Sequence, residues 1–105
     1  MKTVTKKELV QTISDKMQCS QQLSGTMVQC TLDTILEALA EHGRIELRNF
    51  GVFEVKERKP HQGLNPKTGE RVQVDRHFAI TFTPGKLAGE LVNDQFQSRE
   101  LRSLD

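Results

Sequence analysis

Apolar residues recur along this chain first about every four positions and then every two, and the change of period marks a change of structure. Leu9, Ile13 and Met17 stand four apart with Lys6, Lys7, Asp15 and Lys16 between and around them, which predicts an amphipathic helix over residues 5–17. Thr5 lies three residues before Glu8, the spacing of a capping box that satisfies the N–H groups the first turn leaves open. Ser20 is the next N-cap candidate. From it Leu23, Met27, Val28, Thr31, Leu32, Ile35, Leu36 and Leu39 continue at helical spacing as far as His42, where Gly43 supplies the stop. The apolar stripe of this second helix covers both the 28-32-35-39 and the 27-31-35 rows, more than one packing neighbour requires. The excess predicts a second partner, the same helix of another subunit.

After Gly43 the alternation becomes strict. Ile45 and Leu47 oppose Arg44, Glu46 and Arg48, and Phe53 and Val55 oppose Glu54 and Lys56, with Asn49-Phe50-Gly51 as the turn between them. Adding the segment Phe78 to Phe82 gives a three-stranded antiparallel sheet. Between these strands, residues 56–77 contain only Leu64, Val72 and Val74 as sizeable aliphatics, so this stretch is an exposed arm and not core. Its turn chemistry is concentrated at Asn65-Pro66-Lys67-Thr68-Gly69, where proline presets φ and glycine offers a positive-φ position; the flanks are expected to pair as a hairpin. Such a two-stranded ribbon is marginal in water by itself. Thr83-Pro84 reads as N-cap and first residue of a short third helix carrying Leu87, Leu91 and Val92, while the pattern leaves open whether residues 93–105 extend it. The fold class is therefore α+β.

Composition sharpens this reading in two ways. The 105 residues are 35% apolar with five Phe and neither Trp nor Tyr, so a lone chain has little material for a core, and an oligomer of single-domain subunits is expected. The formal net charge of +1 conceals a concentration: Lys56, Arg58, Lys59, Lys67, Arg71 and Arg76 face only Glu57, Glu70 and Asp75 within residues 56–76, a local surplus of +3. Alone, such a run also suits a solvated charged hairpin. No basic leader with a long apolar run and no membrane-length apolar segment is present, so a soluble cytoplasmic protein is expected. Cys19 and Cys30 suit neither a zinc site nor a disulfide framework and read as reduced thiols. His42, His61 and His77 show no metal-ligand spacing, and there is no glycine-rich phosphate loop. No catalytic residue, no metal and no cofactor is expected, and the chain is not read as an enzyme.

The order of elements, with "FGVFEV", then a basic arm bearing "GLNPKTGE", then "FTPGKLAGELV", resembles the bacterial HU and integration host factor family over about residues 3–93. The resemblance implies a histone-like, nucleoid-associated protein binding double-stranded DNA, with residues 1–93 as the binding domain and 94–105 as a tail. It further implies an intertwined homodimer, or a heterodimer with a paralogue, whose two arms enter the minor groove. A tip proline then wedges between base pairs and kinks the duplex, and Pro66 occupies that position; proline is rigid, apolar and has no N–H to satisfy. Lys56, Arg58, Lys59, Lys67, Arg71 and Arg76 become phosphate and groove contacts. Asn65 and Thr68 are hydrogen-bonding candidates at the tip, Lys86 a phosphate contact at the third helix, and Arg44 and Arg48 contacts from the outward side of the first strand.

Two positions depart from the family pattern, since His61 and Leu64 stand where arm arginines are usual. His61 is read as a neutral polar residue, with protonation near phosphates and a mild pH-dependence of binding as the alternative. Leu64 is open among a second apolar wedge, a residue resting on the arm and a contact for another protein. Nonspecific bending and compaction of DNA is the function this implies. The alternatives are a sequence-selective bender, reading DNA deformability, and a diverged scaffold that binds DNA weakly.

Overall fold

A computed structural model describes residues 2–103. The elements run α1 (Lys6–Met17), α2 (Gln21–His42), β1 (Arg44–Leu47), β2 (Gly51–Arg58), β3 (His61–Leu64), β4 (Arg71–Val74), β5 (His77–Pro84) and α3 (Lys86–Ser103). They form two compact units, Met1–Ala40 and Glu41–Asp105, where the uniform composition suggested one. The physical background is the poverty of the core: among the described residues Leu39 is the single buried hydrophobic side chain.

In the helical unit, Thr5 caps α1 by accepting a hydrogen bond from the Glu8 N–H, and Ser20 accepts from the Leu23 N–H ahead of α2. Both caps are those the spacing predicts. The helices are joined where α2 is smallest: Ser24 is fully buried and its hydroxyl donates to the Val10 carbonyl at 2.8 Å, beside Gly25, whose missing Cβ would lie 3.6 Å from the Val10 side chain. The apolar stripes remain largely uncovered, with Leu9, Met17, Leu23, Met27 and Leu36 all exposed. Cys19 lies in the connection between the helices and Cys30 within α2.

In the second unit β1, β2 and β5 form an antiparallel sheet in that spatial order, while β3 and β4 form a separate two-stranded ribbon. The register pairs Arg44 with Glu54 and Glu54 with Thr81, Phe53 with Phe82, and Arg58 with His77. Strand alternation then sorts the sheet into an apolar face with Ile45, Leu47, Phe53, Val55, Ile80 and Phe82, and a polar face with Arg44, Glu46, Glu54, Lys56, Arg58, His77, Thr81 and Thr83. Phe50, Phe53 and Phe82 cluster on the apolar side with ring centroids 4.7–6.4 Å apart. Gly51 makes this possible, because a Cβ there would sit 2.6 Å from the Phe82 ring and from the Thr83 carbonyl oxygen.

The third helix departs from the expected start and length. Thr83 and Pro84 are the last residues of β5, paired with Val52 and Gly51, and the helix begins at Lys86. Pro84 needs no ladder N–H at a strand end, and Gly85, whose N–H donates to the Phe50 carbonyl, makes the turn into the helix. The helix is not short. It continues through residue 93 to Ser103, taking in most of the stretch read as a tail, while residues 104 and 105 lie outside the described part.

Candidate nucleic-acid interface

The polar face of the sheet collects charge in a row. Lys56 and Arg58 share it, as alternation requires, and Arg44 joins them from β1. Glu54 lies between two of these cations, with a carboxylate oxygen 2.9 Å from the Arg44 guanidinium and the other 3.7 Å from the Lys56 ammonium. These pairs are largely solvent-exposed, so each adds little to stability. His77 stands directly across from Arg58 and completes the row.

From this sheet the ribbon projects as a hairpin. It is narrower than the sequence suggested, spanning His61 to Val74, since Lys56, Arg58 and His77 are rungs of the sheet itself. Lys59 and Pro60 on one strand, and Asp75 and Arg76 on the other, separate the two ladders. Pro60 accounts for the interruption by removing a ladder donor. Within the ribbon His61 pairs with Val74 and Gly63 with Val72 on one face, Gln62 with Gln73 and Leu64 with Arg71 on the other. The missing side chain of Gly63 leaves room for the Val74 and Val72 methyls, 3.4 and 3.9 Å from where its Cβ would be.

The tip is organised by its own polar groups. The Asn65 N–H donates to the Glu70 carbonyl at 2.8 Å and the Gly69 N–H to the Asn65 carbonyl at 2.7 Å. The Asn65 side-chain oxygen accepts from the Lys67 N–H at 2.9 Å, and the Thr68 hydroxyl oxygen accepts from the Glu70 N–H at 3.3 Å. Asn65 and Thr68 are thus turn-builders first; the Asn65 amide N–H groups and the Thr68 hydroxyl hydrogen are the donors these two bonds leave unused. Pro66 and Lys67 are exposed at this tip, with Gly69 at φ +73° closing the turn. Leu64, next to the tip, is 67% exposed and so does not rest against the arm.

Other candidates are placed differently. Arg48 belongs to the β1–β2 turn and not to the strand, because Asn49 at φ +68° and the Phe50 N–H to Leu47 carbonyl bond turn the chain there. Arg76 lies in the break between the ladders, where its guanidinium bonds Glu57 and covers the Phe78 ring at 5.4 Å; alternation puts both of those residues on the sheet face opposite Lys56 and Arg58. Lys86 opens α3, whose first turn carries no acidic residue. The His61 ring nitrogen Nδ1 contacts the Lys59 carbonyl at 3.2 Å, and His77 repeats the arrangement with Asp75 at 3.0 Å. His77 and Glu54 were not singled out from sequence, for their membership of the charged row depends on strand register. Among the described residues no group of three or more His, Cys, Asp or Glu could hold a metal ion, and no helix is long and apolar enough to cross a membrane.

Comparison with known proteins agrees with this geometry. A family model described as bacterial DNA-binding protein matches residues 4–93. The "Probable DNA-binding protein HU" of Chlamydia trachomatis is 38% identical over 99 residues, covering 93% of this chain and 99% of its own. The integration host factor subunit beta of Aliivibrio fischeri is 44% identical over 94 residues, covering 86% and 98% respectively. Among solved structures, the HU chain of an Anabaena HU–DNA cocrystal superposes with a TM-score of 0.74 at 34% identity, covering 85% of this chain and 97% of that one. The chain belongs to the bacterial DNA-binding protein family that includes HU and integration host factor.

Proposed function

We propose that this protein is an architectural binder of double-stranded DNA that acts as a homodimer and bends the duplex with its two arms. The observation that carries the reading is the arm tip: a ribbon with no core of its own holds an exposed proline outward through a dedicated set of turn hydrogen bonds. A structure this exposed is stabilised only marginally alone, so a partner at the arm is the physical rationale for it. Pro66 is the intercalating wedge. Lys56, Arg58, Lys59, Lys67 and Arg71 neutralise phosphates along the row from sheet to tip, with Arg44, Arg48 and Lys86 as contacts from the body. His61, Asn65 and Thr68 contribute polar contacts and Leu64 an apolar one. Similarity to a chain solved with DNA supports this assignment. The uncovered stripes of α1 and α2 and the exposed Phe82 support the dimer.

A sequence-selective role with a different partner subunit is the second reading, favoured by the 44% identity to an integration host factor subunit beta. Titration of a labelled duplex of about 40 base pairs at several salt concentrations tests the main proposal, since each neutralised phosphate contributes about 0.9 to the slope of log K against log salt. The parent is expected to show a steep slope and rising end-to-end fluorescence transfer, with Pro66→Asp binding the duplex while losing the rise. Weak, salt-independent binding by both proteins overturns the proposal. Binding confined to one duplex sequence favours the second reading.

A further inference from the structure

We propose that Arg76 is a positioning residue that clamps the root of the arm and so sets the angle of the DNA bend, and is not a phosphate contact; this rests on the DNA-bending reading above. A gap separates the two ladders. The sheet pairing ends at Arg58 with His77 and the ribbon pairing starts at His61 with Val74. No ladder pair spans Lys59 and Pro60 opposite Asp75 and Arg76, and a segment without pairing is where a ribbon can swing. Side chains that fasten the gap residues to the sheet therefore bear on the direction of the arm.

Arg76 does this. Its backbone is in the gap, while its Nε bonds the Glu57 carboxylate on β2 and its guanidinium carbon lies over the Phe78 ring on β5, 5.4 Å from the centroid. Glu57 and Phe78 are themselves paired across the two strands, so a single planar group holds both sides of the last-but-one sheet rung. Arginine suits this role because its fork binds a carboxylate edge-on while its face stacks on an aromatic ring. The same contacts direct its charge to the face opposite Lys56 and Arg58. A phosphate on the charged row would have to draw Arg76 away from two partners and around the strand.

The clamp and the phosphate contact make opposite predictions for Glu57, which has no positive charge to offer DNA. In the free full-length protein, Arg76→Gln and Glu57→Gln are each expected to raise amide hydrogen exchange across residues 61–64 and 71–74 by about threefold, the scale of a solvent-exposed ion pair. Lys56→Gln should leave that exchange unchanged. In duplex titrations, Arg76→Gln and Glu57→Gln should keep the parent salt slope while lowering fluorescence transfer at saturating protein. Arg76→Lys, which retains an ion pair with Glu57, should restore part of the transfer. Unchanged thermal midpoints exclude a general loss of structure. The proposal is overturned if arm exchange stays at the parent level in both clamp variants. It is equally overturned if Arg76→Gln reduces the slope by about 0.9 per subunit while Glu57→Gln tightens binding. If the parent itself binds no duplex, the bending reading fails by that result, while the exchange comparison still decides whether the clamp exists.

Discussion

The aromatic side of the sheet and the arm both expose what an isolated chain would ordinarily hide or lack, but they do so with opposite chemistry. Phe50, Phe53 and Phe82 form a packed cluster that still leaves Phe82 44% exposed, and the α2 stripe is open at Leu23, Met27 and Leu36. The arm instead leaves backbone ribbon, cations and Pro66 in water, with its internal hydrogen bonds spent on shaping the tip. The first surface is costly because apolar area faces water. The second is costly because it orders a chain segment with hardly any burial to offset the lost entropy. An apolar surface is completed by something of the same kind, such as a second subunit; a cationic ribbon is completed by an anion of matching length.

The largest test of this contrast is Phe82→Ala. In an isolated chain a phenylalanine this exposed contributes only part of its burial energy, whereas covered by a second subunit its truncation should cost about 3–5 kcal/mol. The expected result is a thermal midpoint that falls sharply and becomes strongly dependent on protein concentration, with sedimentation showing monomer where the parent is expected to sediment as the proposed dimer. A loss near 1 kcal/mol with no concentration dependence would mean the aromatic face is complete as it stands, and the comparison with the arm would fail.

Leu64→Arg is a smaller perturbation and acts on the arm alone. The side chain is 67% exposed and its cross-strand neighbour is Arg71, so the substitution adds charge without disturbing packing. If the arm lies along phosphates, the salt slope should rise by about 0.9 per arm while the thermal midpoint stays within about one degree of the parent. Unchanged slope with weaker binding and less bending would show that Leu64 works beside Pro66 as an apolar wedge, and would blur the division between an apolar body and a polar arm.

These tests concern features of unequal legibility. The first two helices, their caps at Thr5 and Ser20 and the β1–β2 hairpin are local consequences of spacing, and the chain shows them in the predicted places. The tip was equally legible, since Asn65-Pro66-Lys67-Thr68-Gly69 carries its turn chemistry within itself. What depended on pairing was hidden. The position of His77 opposite Arg58 follows from register, as does the removal of Arg76 to the other face. Thr83 and Pro84 misled for a related reason: locally they form a helix start, but strand pairing with Val52 and Gly51 holds them in the sheet. The length of α3 was undecided because Phe96, Leu101 and Leu104, the last outside the described residues, stand among polar groups without a clear apolar stripe; in the structure the Arg99 guanidinium lies 5.0 Å from the centre of the Phe96 ring, a contact that the apolar pattern does not register.

The smallest expected effect is that of Asn65→Ala, and its smallness is informative. The substitution removes the acceptor for the Lys67 N–H, a single exposed hydrogen bond worth about 0.5–1.5 kcal/mol, while the backbone bonds from Asn65 to Glu70 and from Gly69 to Asn65 remain. Global unfolding should barely register it, because the arm shares no core with the body and its opening is local. Amide exchange at Lys67 and Glu70 should rise by about threefold to tenfold, the range that bond energy implies. DNA bending should weaken with little change in salt slope, since no cation is lost. A fall in the global thermal midpoint as large as that of Phe82→Ala would show that the tip is coupled to the body. Confinement of the effect to the tip would instead show that the arm is shaped by its own hydrogen bonds, independently of the apolar surface from which the body draws its stability.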